Sequence, residues 1–264
     1  MSIDLFDKRA VLFLPASNPR AIAKARASDA DLVILDLEDA VKPDDKASAR
    51  DAAVAAVAES WPMPVAIRVN GLGTREHDAD VAAIGGSNCD LVVLPSVHSA
   101  DEVHALKLGI PLAAMIENAA AVLDAPAIAR ECVALIVGTN DLAADLRLPI
   151  GAGRKSMGFA LQAILLAARA AGIAVFDGVY NRIDDAAGFA AEAAHSRALG
   201  FDGKSLIHPG QIAPCHAAFA PALDELARAA RLVTAATGGA ERFEGAMIEA
   251  MHVEAARRLL SRHR

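Results

Sequence analysis

The sequence predicts an α/β protein that folds as a closed (β/α)8 TIM barrel with a C-terminal helical extension. Eight short apolar segments recur along the chain, and alanine-rich segments with a helical pattern lie between them. Apolar strands that alternate with helices are typical of a parallel sheet covered on both faces. A length of 264 residues suits a single α/β barrel, and eight strand–helix units favour a closed barrel over an open sheet.

The predicted strands are apolar along most of their length and end in polar residues. They lie at 10–16, 31–37, 65–70, 90–96, 111–117, 133–139, 174–179 and 201–207. The alternative is an open, doubly wound sheet, which would be expected to carry a glycine-rich turn after its first strand. The corresponding segment here, LPASNPR at 14–20, contains no glycine, and this favours the barrel.

Helices are predicted between the strands and after the last of them. Four of the clearest lie at 18–27, 45–60, 156–172 and 184–200. The last two end in glycine, which is a helix-stop signal. Beyond the eighth strand, the pattern predicts a helix over 210–239 with a kink near Pro221, then a segment over 240–264 that ends in a basic amphipathic helix.

The domain organisation follows from this change of pattern. We expect a catalytic barrel at 1–237 and an extension at 238–264, joined at the Gly238-Gly239 pair. Such a hinge would let the extension act as a lid, either on its own barrel or on a neighbouring subunit.

Composition excludes several classes of protein. The net charge is −7, from 26 basic and 33 acidic residues, and no dense Lys/Arg run is present, so we expect neither nucleic acid nor an anionic membrane as a partner. The three cysteines are far apart and lack metal-binding spacing, which indicates reduced thiols. The N-terminus lacks a signal-peptide pattern, and no apolar run reaches about 18 residues. These features predict a cytoplasmic protein.

Polar residues stand where the predicted strands end. In a barrel of this kind the active site lies at the carboxyl ends of the strands. That rule explains why the apolar second strand, DLVILDL, is followed by so many acids. The polar residues at these ends are Asp36, Glu38, Asp39, Arg68, Asn70, Glu117, Asn118, Asn140, Asp141, Asp177, Lys204 and His208.

Glu117 and Asp141 form the most informative pair, because their strands are expected to be neighbours about 4.8 Å apart. Two carboxylates so close cannot both stay ionised cheaply, so either one holds a proton or a cation lies between them. Oxygen ligands without Cys or His favour Mg²⁺, with Mn²⁺ also possible. The alternative is that each acid merely caps the following helix.

Arg68 has two open interpretations as well. It pairs with the acids of the DLED segment, or it binds a substrate carboxylate through two hydrogen bonds.

Several of these segments resemble those of a known family, the citrate lyase beta-subunit-like family of the citrate lyase/2-keto acid aldolase superfamily. They are LVILDLEDAV…K…AR (32–50), IRVN (67–70), LAAMIEN (112–118), IVGTNDLAADL (136–146) and GFDGKSLIHPGQI (200–212). The resemblance runs from about residue 9 to residue 260.

The resemblance implies a Mg²⁺-dependent lyase that cleaves or forms a carbon–carbon bond in a β-hydroxyacyl thioester such as citryl-, malyl- or citramalyl-CoA. The implied partners are an acyl-CoA or acyl-carrier thioester and a 2-keto acid. The implied assembly is a homotrimer or a dimer of trimers.

The resemblance also implies roles for individual residues. Glu117 and Asp141 would hold the metal, and Arg68 would bind the keto-acid carboxylate, with Asn70 beside it at the end of the third strand. Glu38 and Asp39 would lie around Arg68 and a water bound to the metal.

Two further roles come from segments outside the strand ends. Lys24, in PRAIAKA, would lie near the phosphates of the thioester. The segment FEGAMIEAMHVEAARRLL resembles one that can cover a neighbouring subunit's pocket and supply an acid, here Glu249 in place of the usual Asp. Ser96, Asn118 and Ala121 depart from the residues common in relatives, and they bear on the substrate more than on the fold.

The preferred hypothesis is therefore a retro-aldol lyase. A base in the Glu38/Asp39 group would remove the proton of the substrate hydroxyl, and Glu249 would protonate the resulting enolate. A rival hypothesis makes Lys204 a Schiff-base nucleophile whose pKa is lowered by its apolar neighbours. A third makes the chain a non-catalytic subunit of a larger complex that binds a keto acid, since Glu249 and Ser96 depart from the family pattern.

Overall fold

A computed structural model describes residues 3–106 and 108–261. It confirms the predicted fold: eight parallel strands pair in sequence order, and the last pairs with the first to close a barrel. Each observed strand lies within its predicted segment. The strands are β1 (Ala10–Pro15), β2 (Leu32–Asp36), β3 (Val65–Arg68), β4 (Leu91–Leu94), β5 (Leu112–Ile116), β6 (Ala134–Val137), β7 (Ala174–Asp177) and β8 (Gly203–Leu206). β2, β3 and β7 end in Asp36, Arg68 and Asp177, whereas Glu117 and Asp141 lie beyond the ends of their strands.

The helices form the layer outside the barrel. Two of them end as the glycines predict, since Gly172 and Gly200 adopt left-handed φ values of 71° and 108°, a conformation that costs glycine little. The helices are α1 (Pro19–Arg26), α2 (Lys46–Val57), α3 (His77–Ile84), α4 (Ala100–Ala105), α5 (Ala119–Ile128), α6 (Thr139–Asp145), α7 (Gly158–Ala171), α8 (Ala186–Leu199) and α9 (Ile212–Phe219). Among the residues that the structure describes, no helix is long and apolar enough to cross a membrane.

Side chains along each strand alternate between the barrel interior and the helix layer. On β2, Leu32 and Ile34 belong to the interior cluster, whereas Val33 and Leu35 belong to the layer between barrel and helices. Many interior positions carry alanine, and one carries the large Phe176. This alternation decides which strand-end side chains can reach the mouth of the barrel and which point into the helix layer.

A buried group of charged side chains ties the eighth strand to the helix layer. Lys204 is 0% exposed; its Nζ donates to Asp177 and Glu192 at 2.8 Å each and also to the carbonyl of Gly178. Arg154 donates to the other oxygen of Asp177 at 2.8 Å. Two cations and two anions thus balance one another where β7, β8 and α8 meet.

The chain divides after Phe219 into two compact units. The second begins with α10 (Leu223–Ala235), which packs against α11 (Ala250–Ser261). The sequence pattern predicts one kinked helix over 210–239, and the structure has two, with the break around Pro221. The predicted boundary at 237/238 lies inside this second unit, and the lid role of the extension stays a prediction.

The second unit also contains a hairpin that the sequence pattern did not predict. It consists of β9 (Glu241–Phe243) and β10 (Ala246–Ile248), which pair antiparallel. Its two turn residues, Glu244 and Gly245, both have positive φ, as a two-residue hairpin turn requires. Strands of three residues are too short to leave a clear alternation in the sequence.

We expect Lys204→Ala to lower the free energy of unfolding by about 3–5 kcal/mol, because it leaves Asp177 buried without its ammonium partner. Denaturant unfolding followed by circular dichroism measures the change. Lys24→Ala is the matched control, since Lys24 is exposed on α1, and it should change stability by less than about 0.5 kcal/mol. Equal effects of the two substitutions would contradict a structural role for the buried charges.

Candidate functional site

A cavity of about 340 Å³ opens at the carboxyl ends of the strands. Residues from seven of the eight strands or the loops after them contribute to its wall, so that several predicted strand-end residues meet there. The wall includes Phe13, Asp36, Asp39, Arg68, Met115, Gly138, Thr139, Asn140, Asp141, Asn181 and Ser205.

Asp36 is the centre of the hydrogen-bond network on one side of this cavity. It is 1% exposed, and its two oxygens accept from Arg68 Nε at 2.7 Å and Nη2 at 2.6 Å. The same oxygens accept the backbone N–H groups of Glu38 at 2.8 Å and Ala40 at 3.0 Å. One carboxylate therefore fixes both the guanidinium and the loop that carries Glu38 and Asp39.

Arg68 has its remaining end directed at Glu38. Its Nη1 lies 2.7 Å from Glu38 Oε2, and its guanidinium carbon lies 5.3 Å from the centre of the Phe13 ring. Of the two sequence interpretations, the structure shows the pairing with the DLED acids. The role of Arg68 in gripping a substrate carboxylate stays a prediction, and it requires the ligand to compete with Glu38 for Nη1.

Glu117 presents a buried oxygen that no described residue satisfies. The side chain is 4% exposed, and Oε1 accepts the backbone N–H of Ser96 at 2.5 Å, while Oε2 has no hydrogen-bond partner. Ser96 adopts a left-handed φ of 50° to make this contact. A Cβ at Gly138 would overlap with Glu117 Oε2, so only glycine leaves room for the carboxylate there. An unpaired, buried carboxylate oxygen fits a cation.

Asp141 supplies the second carboxylate. It is the third residue of α6 and is exposed at the cavity wall. The N-cap of α6 is Gly138, and α5 is capped by Asn118, so neither Glu117 nor Asp141 is the helix N-cap that the alternative interpretation required. The part of the chain that the structure describes contains no group of three or more Asp, Glu, His or Cys side chains placed to hold a metal. Two carboxylates suffice for Mg²⁺, which usually keeps several water ligands.

Glu117 and Asp141 hold their protons more tightly than isolated carboxyl groups do. Burial raises the pKa of Glu117, and the nearby Asp141 raises it further, although the Ser96 N–H and Arg68 act against this. Burial also raises the pKa of Asp141, with Asp39 adding to the effect and Arg68 opposing it. A cation between these acids would relieve the repulsion that keeps their pKa values high.

Glu38 is the carboxyl best suited to exchange a proton. Burial raises its pKa to about 8, outweighing the attraction of Arg68, and the neighbouring carboxylates of Asp39, Glu117 and Asp36 raise it as well. A group with a pKa near the working pH is the most effective general acid or base. Asp39, next to it, is exposed and lines the cavity.

Two predicted substrate-binding residues lie outside the described wall of the cavity. The amide of Asn70 is engaged at both ends, since Nδ2 donates to Asp80 at 2.6 Å and Oδ1 accepts from Lys46 at 2.6 Å. Lys24 is exposed in the last turn of α1. Their roles in binding the substrate stay predictions.

Glu249, predicted as a proton donor, belongs to the second unit. It is half-buried directly before α11, and its backbone N–H donates to His252 Nδ1 at 2.9 Å. The part that it plays in catalysis also stays a prediction.

Lys204 is poorly placed to act as a Schiff-base nucleophile. Along β8 it shares its side of the strand with Leu206, which packs in the helix layer, whereas Ser205 lines the cavity. All three Nζ hydrogens have acceptors, and two of these acceptors are carboxylates that favour the charged ammonium. A nucleophilic amine needs a free lone pair and access to the substrate, so the geometry weighs against this rival hypothesis.

Some residues of the site were not singled out from the sequence. They include Gly138 beside Glu117, and Ser205, whereas Asp36 was named among the strand-end acids but not as the bidentate partner of Arg68. The alternation of side chains could have predicted the contact between Asp36 and Arg68. Each residue follows an interior residue by two positions, so both face the interior, and they are register partners on β2 and β3. No sequence pattern predicts that the missing side chain of Gly138 leaves room for a carboxylate.

The fold and the site define a (β/α)8 barrel with an acidic, cation-compatible cavity at the carboxyl ends of its strands. A family model described as HpcH/HpaI aldolase/citrate lyase matches residues 9–209. The chain belongs to this family, and its resemblance to citrate lyase beta subunits is confirmed.

Relatives of this chain are similar over almost its whole length. It is 40% identical to a (3S)-malyl-CoA thioesterase from Cereibacter sphaeroides, over 96% of this chain and 94% of that protein. It is 33% identical to the citrate lyase subunit beta of Escherichia coli, over 97% and 93%. The crystal structure of CitE from Mycobacterium tuberculosis in complex with magnesium, acetoacetate and coenzyme A superposes with a TM-score of 0.87, at 35% identity over 98% of this chain and 99% of that one.

We expect Asp36→Asn to lower the free energy of unfolding by about 3–5 kcal/mol. The amide replaces one of the two acceptor oxygens by a donor, and Arg68 loses its buried counter-ion. Chemical denaturation measures the loss. Asp39→Asn, in the same loop but exposed, is the matched control and should have little effect. An Asp36→Asn protein as stable as the control would show that the network is not holding the loop.

The stability of the metal-free protein should depend on pH through Glu38. A carboxyl whose pKa rises from 4.5 to about 8 on folding binds its proton more tightly in the folded state. Its contribution is therefore present at low pH and is lost as the pH rises between these values. Each pKa unit corresponds to about 1.4 kcal/mol.

Thermal unfolding in EDTA at a series of pH values measures this dependence. The melting temperature of the wild type should fall more steeply than that of Glu38→Gln between about pH 5 and pH 8. Parallel curves for the two proteins would mean that Glu38 has an ordinary pKa.

Proposed function

We propose that this protein is a Mg²⁺-dependent carbon–carbon lyase. Its substrate is a β-hydroxyacyl thioester such as malyl-, citramalyl- or citryl-CoA, which it cleaves into a 2-keto acid and an acyl thioester, or forms from them. The observation that carries the proposal is the unsatisfied Oε2 of buried Glu117. Glu117 is close enough to Asp141 and Arg68 for their charges to shift its pKa, and both of these residues line the cavity with Asp36. Family membership and a structural relative with magnesium, acetoacetate and coenzyme A support the same conclusion.

The residues of the chain divide the work of the reaction among them. Glu117 and Asp141 would hold Mg²⁺, which supplies Lewis-acid stabilisation of negative charge on substrate oxygens. Asp36 holds the Nε–Nη2 edge of the Arg68 guanidinium, so that Arg68 would present a fixed positive charge to the substrate carboxylate. Fixed charges of this kind need no reorganisation during the reaction.

Glu38 would act as the general base. With a pKa of about 8, it can accept the proton of the substrate hydroxyl, directly or through water. The carbon–carbon bond then breaks, and its electron pair moves onto the thioester as an enolate. Protonation of Glu38 also weakens its ion pair with Arg68 Nη1. Arg68 Nη1 would then be free to bind the keto acid as it forms.

The proton for the enolate would come from a residue outside the barrel. Glu249 of the second unit would protonate the enolate carbon, in its own chain or in a neighbouring subunit. Assembly as a homotrimer or a dimer of trimers would suit the second of these arrangements.

Thioester hydrolysis is the second candidate. The observation in its favour is the 40% identity to a (3S)-malyl-CoA thioesterase over 96% of the chain. The products separate the two reactions: with malyl-CoA, a lyase yields acetyl-CoA and glyoxylate, whereas a thioesterase yields malate and free CoA.

We expect turnover of malyl-, citramalyl- or citryl-CoA to require Mg²⁺. Glu117→Gln should reduce turnover by more than about 100-fold, because even the outer partners of metal ligands contribute about 10–100-fold. Chromatography of the CoA products measures the rate and identifies the reaction. Calorimetry with Mg²⁺ should show that this variant also loses metal binding.

Glu131→Gln is the matched control for this experiment. Glu131 is exposed before β6, where its partner is His104, and the variant should behave as the wild type does. Turnover by Glu117→Gln that still depends on Mg²⁺ would refute the proposed metal site. An unchanged rate of the wild type in EDTA would refute metal dependence altogether.

A further inference from the structure

Ser205 carries a buried hydroxyl that no other described residue satisfies. Only three buried side-chain polar atoms in the described part of the chain lack a hydrogen-bond partner: Arg26 Nε, Glu117 Oε2 and Ser205 Oγ. Arg26 is on α1, where its guanidinium stacks on Trp61. Ser205 is 1% exposed and lines the cavity.

The surroundings of Ser205 give no structural reason for a hydroxyl. On β8 it faces the interior, between Gly203 and Ile207, and its register partner on β1 is Val11, a member of the interior apolar cluster. A buried hydroxyl without a partner lowers stability, and alanine would occupy the position without that cost. The side chain is therefore suited to contact a polar atom of a bound molecule rather than to pack.

The position of β8 in the barrel indicates which part of a ligand Ser205 can reach. Strand order places β8 opposite β4, beside β1 and β7. Glu117 and Asp141 follow β5 and β6, which are three strands and two strands away from β8 around the barrel. Asp141 and Ser205 line the same cavity on different strands, so a substrate whose keto-acid end is held by the two carboxylates can extend its thioester end across the cavity to Ser205.

We propose that Ser205 Oγ donates a hydrogen bond to the carbonyl oxygen of the substrate thioester. This inference rests on the thioester substrate of the proposed function. In the lyase reaction the hydroxyl proton passes to Glu38, the carbon–carbon bond breaks, and its electron pair moves through the thioester to that oxygen. Negative charge develops there, so a hydrogen-bond donor to that oxygen binds the transition state more tightly than the substrate.

The same hydrogen bond would serve thioester hydrolysis. When water adds to the thioester carbon, the carbonyl oxygen becomes the oxyanion of a tetrahedral intermediate. Ser205 is thus a catalytic residue for either reaction at the thioester, and its role does not depend on which bond breaks.

Binding of two CoA derivatives tests this contact without requiring turnover. Acetyl-CoA has the thioester carbonyl, and S-ethyl-CoA has the same chain with a methylene in its place. In calorimetry with Mg²⁺ and wild-type protein, we expect acetyl-CoA to bind about five- to tenfold more tightly. Ser205→Ala should abolish this preference, and Ser205→Thr, which keeps the hydroxyl, should retain it.

Kinetics provide the second readout. Ser205→Ala should reduce kcat by about 100-fold, the effect typical of losing one oxyanion donor. Its Mg²⁺ affinity should stay within about twofold of the wild type, since it removes no metal ligand. Ser48→Ala, at an exposed hydroxyl on α2, is the control and should leave all these values unchanged.

The outcomes separate this inference from the proposed function. A wild type that binds both derivatives equally, or a Ser205→Ala protein with full preference and full kcat, overturns the role of Ser205. A wild type that prefers acetyl-CoA, with the preference lost in Ser205→Ala, but that turns over none of the β-hydroxyacyl thioesters refutes the proposed lyase while the contact stands.

Discussion

The alternation of side chains around a closed barrel is the constraint on which the rest of this structure depends. With all strands parallel, the mouth collects the interior-facing residues of every strand at once. Asp36 and Arg68 occupy interior positions, and Glu117 follows Met115 by two residues, whereas Asp177 and Lys204 fall on the outer side. Charged residues that look alike in the sequence thus divide into one set at the mouth of the barrel and a second set in the helix layer. A shift of one residue in strand register would exchange the two sets.

The cavity is organised around an excess of negative charge. Asp36, Glu38, Asp39, Glu117 and Asp141 all interact with the single guanidinium of Arg68 or with one another. Arg68 gives two of its N–H groups to Asp36, and its one positive charge compensates only part of the charge of these acids. Burial therefore raises the pKa values of Glu38, Glu117 and Asp141. The same imbalance explains two features at once: a carboxyl that titrates near neutrality and a pair of carboxylates that suits a divalent cation. The left-handed backbone of Ser96 supports this arrangement by directing its N–H at Glu117.

The sequence contained enough information for the barrel and for the pairing of its acids, and less for the contacts between them. Continuous apolar runs such as 31–37 identify strands, because a parallel sheet is buried on both faces. Glu117 and Asp141 could be paired in advance, since consecutive strands of a barrel are neighbours. The bidentate hold of Asp36 on Arg68 depends on side-chain conformation, and the free oxygen of Glu117 depends on the missing Cβ of Gly138. The orientation of Lys204 could have been predicted, because consecutive residues such as Lys204 and Ser205 face opposite sides of β8. The hairpin over 241–248 was missed because its strands are too short to show a period.

The burial of Lys204 has a consequence for covalent chemistry at lysines. Acylating reagents and other electrophiles modify an amine only through an accessible, unprotonated nitrogen. Lys204 is enclosed, and each of its N–H groups is held by an oxygen, whereas Lys24 projects from α1 into solvent. Chemical footprinting of the folded protein will therefore label Lys24 and not Lys204. Labelling of Lys204 would indicate that β7, β8 and α8 have separated.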